Sequence, residues 1–227
     1  MIRHFVSAAM FCLVIVTASV ADAQVLAGGA RPRPGSAEVS GGGFWSGGQS
    51  LDDRAATLTS NPSSGPSSFE LFNAEPRLDP SIGVHGAVAV YITRALAIEG
   101  GIRFSRPKLK LSLTDDAEDA ADETATATIT SYVFTGSLVY HFGTSGRTVP
   151  FVAGGAGHIR DVHSGNELVE TGTEYHGTAG IKSWFGRERK LGFRAEAGIS
   201  VRDGGLTLDQ DGVRGVPIAA ASLLYLF

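Results

Sequence analysis

The chain has 227 residues and a net charge of −4, and no basic patch points to a nucleic-acid partner. Its single cysteine, Cys12, lies near the N-terminus, so the body of the protein has neither disulfide nor thiol chemistry. Past the first twenty residues no apolar run reaches the ~18 residues of a membrane-spanning helix, and the hydrophobic content is an ordinary 43%.

Taken in order, Arg3 and His4 form a short basic region and Phe5 to Val20 an apolar one. Ala21-Asp22-Ala23 follows the small-x-small cleavage pattern. Residues 1–23 therefore read as a secretory signal peptide cut between Ala23 and Gln24. Cys12 sits inside the apolar region and not at a lipidation site. Residues 24–36, rich in Gly, Pro, Ala and Arg, read as a flexible linker. The rest, 37–227, reads as one domain of eight strands.

The first strand, Ala37 to Trp45, is weakened by Gly41-Gly42-Gly43. The second alternates Ile82, Val84, Gly86, Val88, Val90 and Ile92 against a face with His85. The third sets Leu96, Ile98, Gly100, Ile102 and Phe104 against a face with Glu99 and Arg103, and can continue past Pro107 as Leu109, Leu111 and Leu113. The fourth sets Tyr132, Phe134, Leu138, Tyr140 and Phe142 against a face with His141. In the fifth, Val149, Phe151, Ala153 and Ile159 are expected outside, opposite His158 and Arg160. The sixth has Tyr175, Ala179, Ile181 and Phe185 opposite His176 and Lys182. The seventh has Leu191, Phe193, Ala195, Ile199 and Val201 opposite Arg194, Glu196 and Arg202. The eighth, Pro217 to Phe227, ends the chain with Ala219, Ala221, Leu223 and Tyr225 on one face.

Connections alternate in length. Segments 46–80, 106–124, 161–172 and 203–215 are long and polar, whereas the links after the second, fourth and sixth strands are tight. Strands of ~9–12 residues suit a tilted bilayer crossing, while strands of soluble proteins average roughly five to six. Long loops on one side and short turns on the other are the habit of up-and-down membrane barrels. The expected fold is all-β, a closed up-and-down antiparallel transmembrane β-barrel of eight strands. A two-sheet soluble sandwich is the alternative. Lipid offers the backbone no hydrogen-bond partners, so the first strand should pair with the last. Trp45, Tyr132, Tyr140, Phe142, Phe151, Tyr175, Phe185, Phe193 and Tyr225 lie near strand ends and suggest interfacial girdles.

The last strand, with Tyr225 and terminal Phe227, resembles the closing strand of bacterial outer-membrane barrels. Together with the strand pattern, the mature chain resembles the small outer-membrane β-barrel domain family, relatives of outer-membrane proteins A, X and W. The resemblance implies a Gram-negative outer-membrane location reached through the periplasm, with linker and C-terminus on the periplasmic side. It also implies assembly by the barrel-assembly machinery reading Tyr225 and Phe227, and contact with outer-membrane lipid and lipopolysaccharide. It names no partner for the outer loops.

An eight-stranded barrel is just wide enough to be filled by side chains. His85, Glu99, Arg103, His141, His158, Arg160, His176, Lys182, Arg194, Glu196 and Arg202 are expected to form a polar lumen network. Glu99 and Arg103 are four apart on one face, and Lys182 should lie across from Arg194. Bases outnumber acids in this set, so some should face the mouths. The adopted reading is a structural plug in a protein with a structural or surface-interaction role; the alternative is a narrow conduit for small solutes. No metal spacing or cofactor motif is present, and no cofactor is expected. The acidic run Asp115, Asp116, Glu118, Asp119, Asp122 and Glu123 reads as a solvated loop. His163-Ser164, with Glu167 and Glu170, is similar to the His/Ser/Glu set of lipid A deacylases but lacks their spacing. An enzyme is not expected.

Overall fold

The computed structural model describes residues 32–51, 54–58, 69–114, 123–143, 146–163, 168–204 and 214–227. The expected signal peptide with Ala23 and Gln24, most of the expected linker, the acidic run before Glu123, and Ser164 with Glu167 lie outside the described residues. The described chain forms strands β1 Ala37–Ser46, β2 Gln49–Ser50, β3 Arg54–Leu58, β4 Phe69–Leu78, β5 Ser81–Tyr91 and β6 Leu96–Ser105. These are followed by β7 Lys108–Thr114, β8 Glu123–His141, β9 Thr148–His163, β10 Val169–Phe185, β11 Leu191–Gly204 and β12 Arg214–Leu226.

Eight of them close a ring in the order β1-β5-β6-β8-β9-β10-β11-β12, every neighbour antiparallel. The seam between the two ends of the chain runs from Glu38 opposite Leu226 to Ser46 opposite Ile218. The amide of Phe227 adds a bond to the carbonyl of Ala37 at 2.8 Å. Closure removes both sheet edges, the requirement for a sheet surrounded by lipid.

The tight turns join β5 to β6, β8 to β9 and β10 to β11. At the first, the hydroxyl of Thr93 accepts bonds from the amides of Ala95 and Leu96, at 3.1 and 2.9 Å. Gly143 and Gly186 open the other two with φ of 76° and 73°, a region side chains avoid.

The opposite end is more ordered than a set of loops. β4 pairs with β3 and β7, and β7 with residues 123–128 of β8, so the wall continues beyond the barrel as a sheet. Residues 46–80 and 106–124 thus contain strand as well as loop. Pro107, which has no N–H, interrupts the ladder between β6 and β7. The register runs on across it: Ser105 faces Ser131 and Lys108 faces Thr128.

The outer wall is apolar. Ile82, Val84, Ile98, Leu138, Ile181, Ile199, Leu223 and Phe227 all stand exposed, Ile82 at 80% and Leu223 at 68%. A continuous apolar belt of this kind needs a lipid neighbour or a partner. Ten residues separate Tyr132 on β8 from Phe142, the residue after its end, and both face outward. At ~3.4 Å per residue and a tilt of ~40°, the rings stand about 26 Å apart across the belt, close to the ~25 Å apolar band of such barrels. Inside, small residues make room. A β-carbon on Gly198 would lie 2.0 Å from the carbonyl oxygen of Gly177, so the wall there admits only hydrogen.

β9 corrects the sequence reading. Val149, Phe151, Ala153 and Ile159 are buried in the lumen, while Val152, Gly154, Ala156, His158 and Arg160 are exposed outside. Phe151 is therefore no girdle residue, and His158 and Arg160 are no part of the lumen network. From Val149 to Gly157 both faces of this strand are made of small or apolar residues, so alternation alone does not orient it. The interior decides, because Phe151 lies under two cations.

Candidate functional site

The candidate site is the barrel interior, built in tiers. At the tight-turn end, Ala97, Val139, Val149, Trp184, Leu224 and Leu226 form a buried apolar floor with Tyr91 and Phe151. Above it, Lys182 Nζ lies 2.7 Å from Glu38 Oε1, with the two side chains 0% and 1% exposed. The Tyr91 hydroxyl donates to Glu38 Oε2 at 2.8 Å. His141 stacks on Tyr91 with ring centroids 5.2 Å apart. A buried carboxylate is tolerable only when its lone pairs are taken up in this way.

The next tier centres on Arg194. Its guanidinium donates to Glu99 at 2.5 Å and to Glu196 at 2.9 Å. It also lies 4.7 Å from the centroid of the Phe151 ring, with Lys182 Nζ at 5.6 Å from the same ring. Lys182 and Arg194 are direct register partners, so two cations share a neighbourhood. The three carboxylates and the aromatic face offset that repulsion.

Beyond this lies a chamber of about 60 Å³, lined among others by His85, Glu99, Arg103, Ser137, His176 and Glu196. Ser137 Oγ and His176 Nε2 are 2.8 Å apart. His85 Nε2, His176 Nδ1 and Arg103 Nε are buried without a hydrogen-bonded protein partner. Polar groups of this kind in a polar cavity are ordinarily satisfied by water.

Towards the long-loop end, Arg103 pairs with Glu174 across the barrel. Arg202 Nε lies 3.6 Å from the other oxygen of Glu174, and His176 Nδ1 lies 3.7 Å from the first. The interior thus brings together His85, Glu99, Arg103, His141, His176, Lys182, Arg194, Glu196 and Arg202. Pairing differs in detail from the spacing: Glu99 binds Arg194 and not Arg103.

No protein-family model and no curated protein sequence matches the chain. Among solved structures, the outer membrane protein OprG from Pseudomonas aeruginosa is similar at a TM-score of 0.52 and 13% identity. The match covers 88% of this chain and 98% of that one. The chain has the fold of an eight-stranded outer-membrane barrel. The N-terminal β-barrel domain of Pseudomonas aeruginosa OprF matches with a TM-score of 0.41 at 15% identity, over 85% of this chain and 98% of that one. Ail, the attachment invasion locus protein of Yersinia pestis, matches with a TM-score of 0.42 at 14% identity, over 85% and 99%.

Within this barrel three interior acids escaped the sequence reading: Glu38, Asp161 and Glu174, all buried. Among the described residues, with them and without Arg160, five carboxylates meet four Arg and Lys side chains. Glu38 shares parity with Ser40 on β1, and Glu174 with His176 and Lys182 on β10. That alternation was the available signal. Tyr225 and Phe227 both face outward, with ring centroids 4.7 Å apart. His163 Nε2 lies 3.3 Å from Glu170 Oε2, a contact within the β9–β10 hairpin.

Proposed function

We propose that the protein is an integral outer-membrane barrel whose role is structural or surface-interacting, with a plugged lumen and no catalysis. The observation that carries this is the cross-braced interior: Glu38–Lys182 and Glu99–Arg194–Glu196 join opposite walls above an apolar floor. A barrel built to conduct would not place its buried charges in pairs that span the bore. The sheet of β3, β4, β7 and the start of β8 then stands on the outer side, where it offers a surface to the surroundings. The tight turns and Phe227 lie on the periplasmic side.

The chamber by His85 and His176 favours a second reading, a narrow conduit for small solutes. Planar-bilayer recording separates the two. The plugged barrel gives no reproducible unitary conductance. A steady channel in the wild-type protein that changes on Arg103→Gln or Glu196→Gln replaces the plug with the conduit.

A further inference from the structure

The two ends of the barrel carry opposite charge. At the tight-turn end the described cations are Arg33, Arg94, Arg147, Arg187, Arg189 and Lys190. The acids there are Glu188, which lies 3.8 Å from Lys190, and the α-carboxylate of Phe227. Glu38 is turned inward onto Lys182 and does not offset them. Residues 24–36, which lead into β1, contain Arg31 and Arg33 and no acid. At the other end, acids outnumber bases in each of the long segments 46–80, 106–124, 161–172 and 203–215. A protein of net charge −4 therefore keeps a strongly basic foot.

The order of strands spreads this charge around the foot. Arg94, Arg147 and Arg187 lie in the turns that join β5 to β6, β8 to β9 and β10 to β11, and Arg33 lies before β1. All four are exposed. Arg33 is held at the foot of β1: Gly35, at φ 88°, donates its amide to the Tyr91 carbonyl at 2.7 Å, and the Arg33 amide donates to Ser36 Oγ at 3.2 Å. At ~4.8 Å between strands and ~40° tilt, an eight-stranded barrel is about 16 Å across, and successive turns stand about 11 Å apart. One small anion does not span such a ring, whereas a partner that repeats its anionic groups does. The outward positions flanking the belt here, Ile92, Phe142, Phe185, Leu191 and Phe227, are apolar and exposed. The arginines lie past them, on the end of the cylinder and not on its side wall. Their charge is thus presented to the compartment below rather than to the bilayer. Guanidinium groups pair with carboxylates through parallel hydrogen bonds, and a ring of them attracts a polyanion over about a Debye length.

Resting on the periplasmic placement of the tight turns proposed above, we infer that Arg33, Arg94, Arg147 and Arg187 dock the foot of the barrel on peptidoglycan, through the free carboxylates of its peptide stems. That polymer lies on the periplasmic side and presents carboxylates in series. Each exposed ion pair is weak alone. Four on one rigid ring, meeting one polymer, add as a multivalent contact.

The test is co-sedimentation of the full mature barrel, in neutral detergent, with purified peptidoglycan sacculi. The wild type is expected to pellet with them at low salt and to lose at least tenfold in affinity at about 0.5 M salt. Sacculi whose carboxylates have been converted to neutral amides are expected to bind it at least tenfold more weakly, and equal binding overturns the proposal. The variant Arg33→Gln/Arg94→Gln/Arg147→Gln/Arg187→Gln is expected to bind untreated sacculi at least tenfold more weakly. The charge-matched variant Arg77→Gln/Arg106→Gln/Lys108→Gln/Arg160→Gln, at the other end, is expected to bind as the wild type does. Equal weakening in both variants overturns the site in favour of diffuse attraction. Unchanged binding of the first variant to sacculi, with binding to vesicles of anionic phospholipid lost instead, overturns it in favour of the inner leaflet. All substituted side chains are exposed, so both variants should keep the heat-modifiable gel migration of a folded barrel. Should the first variant lose it, the comparison of untreated with amidated sacculi, which needs only the wild type, decides. The periplasmic placement has its own test. Arg94→Cys, in a chain whose other cysteine is Cys12, is expected to stay unlabelled in intact cells by a maleimide on a polymer too large to cross the outer membrane. Labelling there defeats the placement of the turns, whatever the sacculi bind.

Discussion

The two ends of the lumen solve the same problem differently. Near the tight turns, Lys182 and Glu38 are sealed from solvent over an apolar floor, and Tyr91 takes up the second carboxylate oxygen. Near the long loops, Arg103 and Arg202 flank Glu174 with side chains 13% and 14% exposed. There Arg103 Nε, Arg202 Nε, Asp161 Oδ1 and one oxygen of Glu174 have no hydrogen-bonded protein partner. The first arrangement is closed, so each member depends on the other. The second shares one carboxylate among several donors beside a polar chamber, so it tolerates the loss of one. Burial with a single partner makes an ion pair costly to break, whatever its net contribution.

The largest effect should therefore come from the sealed end. Glu38→Gln leaves the Lys182 ammonium buried beside Arg194, its register partner. A loss of about 3–5 kcal/mol is expected, the cost of stranding one member of a buried pair. Urea unfolding in lipid vesicles, followed by tryptophan emission and gel migration, measures it. Adding Lys182→Met, which removes the stranded charge, should restore more than half of the loss. If the double variant is no better than the single, burial of the unpaired charge is not the cause.

At the open end, Arg103→Gln removes one donor from Glu174, which keeps Arg202 and His176 nearby. The expected loss is about 1.5–3 kcal/mol, in the range of one hydrogen bond to a charged group. The same urea titration checks it. A loss equal to that of Glu38→Gln would erase the contrast between the two ends.

Much of this was readable from residue alternation, and the failures are specific. β8, β10 and β11 carry aromatic or branched residues on one face and polar residues on the other, so their orientation follows from the chain. β9 does not: Phe151 and Ile159 on one face and Val152 on the other give no bias. Its orientation is set by Arg194 and Lys182, which arrive from other strands and need the Phe151 ring. Glu38 was hidden by the glycines of β1, which made its facing hard to assign. Glu174 lies just before Tyr175, where the strand was taken to begin. The partners of Arg103 and Arg194 are 71 and 95 residues away in sequence, so pairing across the bore depends on closure of the barrel and not on spacing along a strand.

The smallest effect should separate the two kinds of bond within the sealed end itself. Tyr91→Phe deletes only the hydroxyl that donates to Glu38 at 2.8 Å, leaving the ring against His141 and the Lys182–Glu38 pair intact. Glu38 keeps its cation, so no charge is stranded. What is lost is one hydrogen bond from a neutral donor to a carboxylate that keeps its cation, and about 1.5 kcal/mol is expected, the low end of the range for a charged acceptor. Combining Tyr91→Phe with Glu38→Gln should cost little more than Glu38→Gln alone, because the hydroxyl then has no carboxylate to lose. Full additivity of the two in urea unfolding would show that the Tyr91 hydroxyl acts through a partner other than Glu38, namely His141 Nε2 or Lys182 Nζ, each 3.4 Å away.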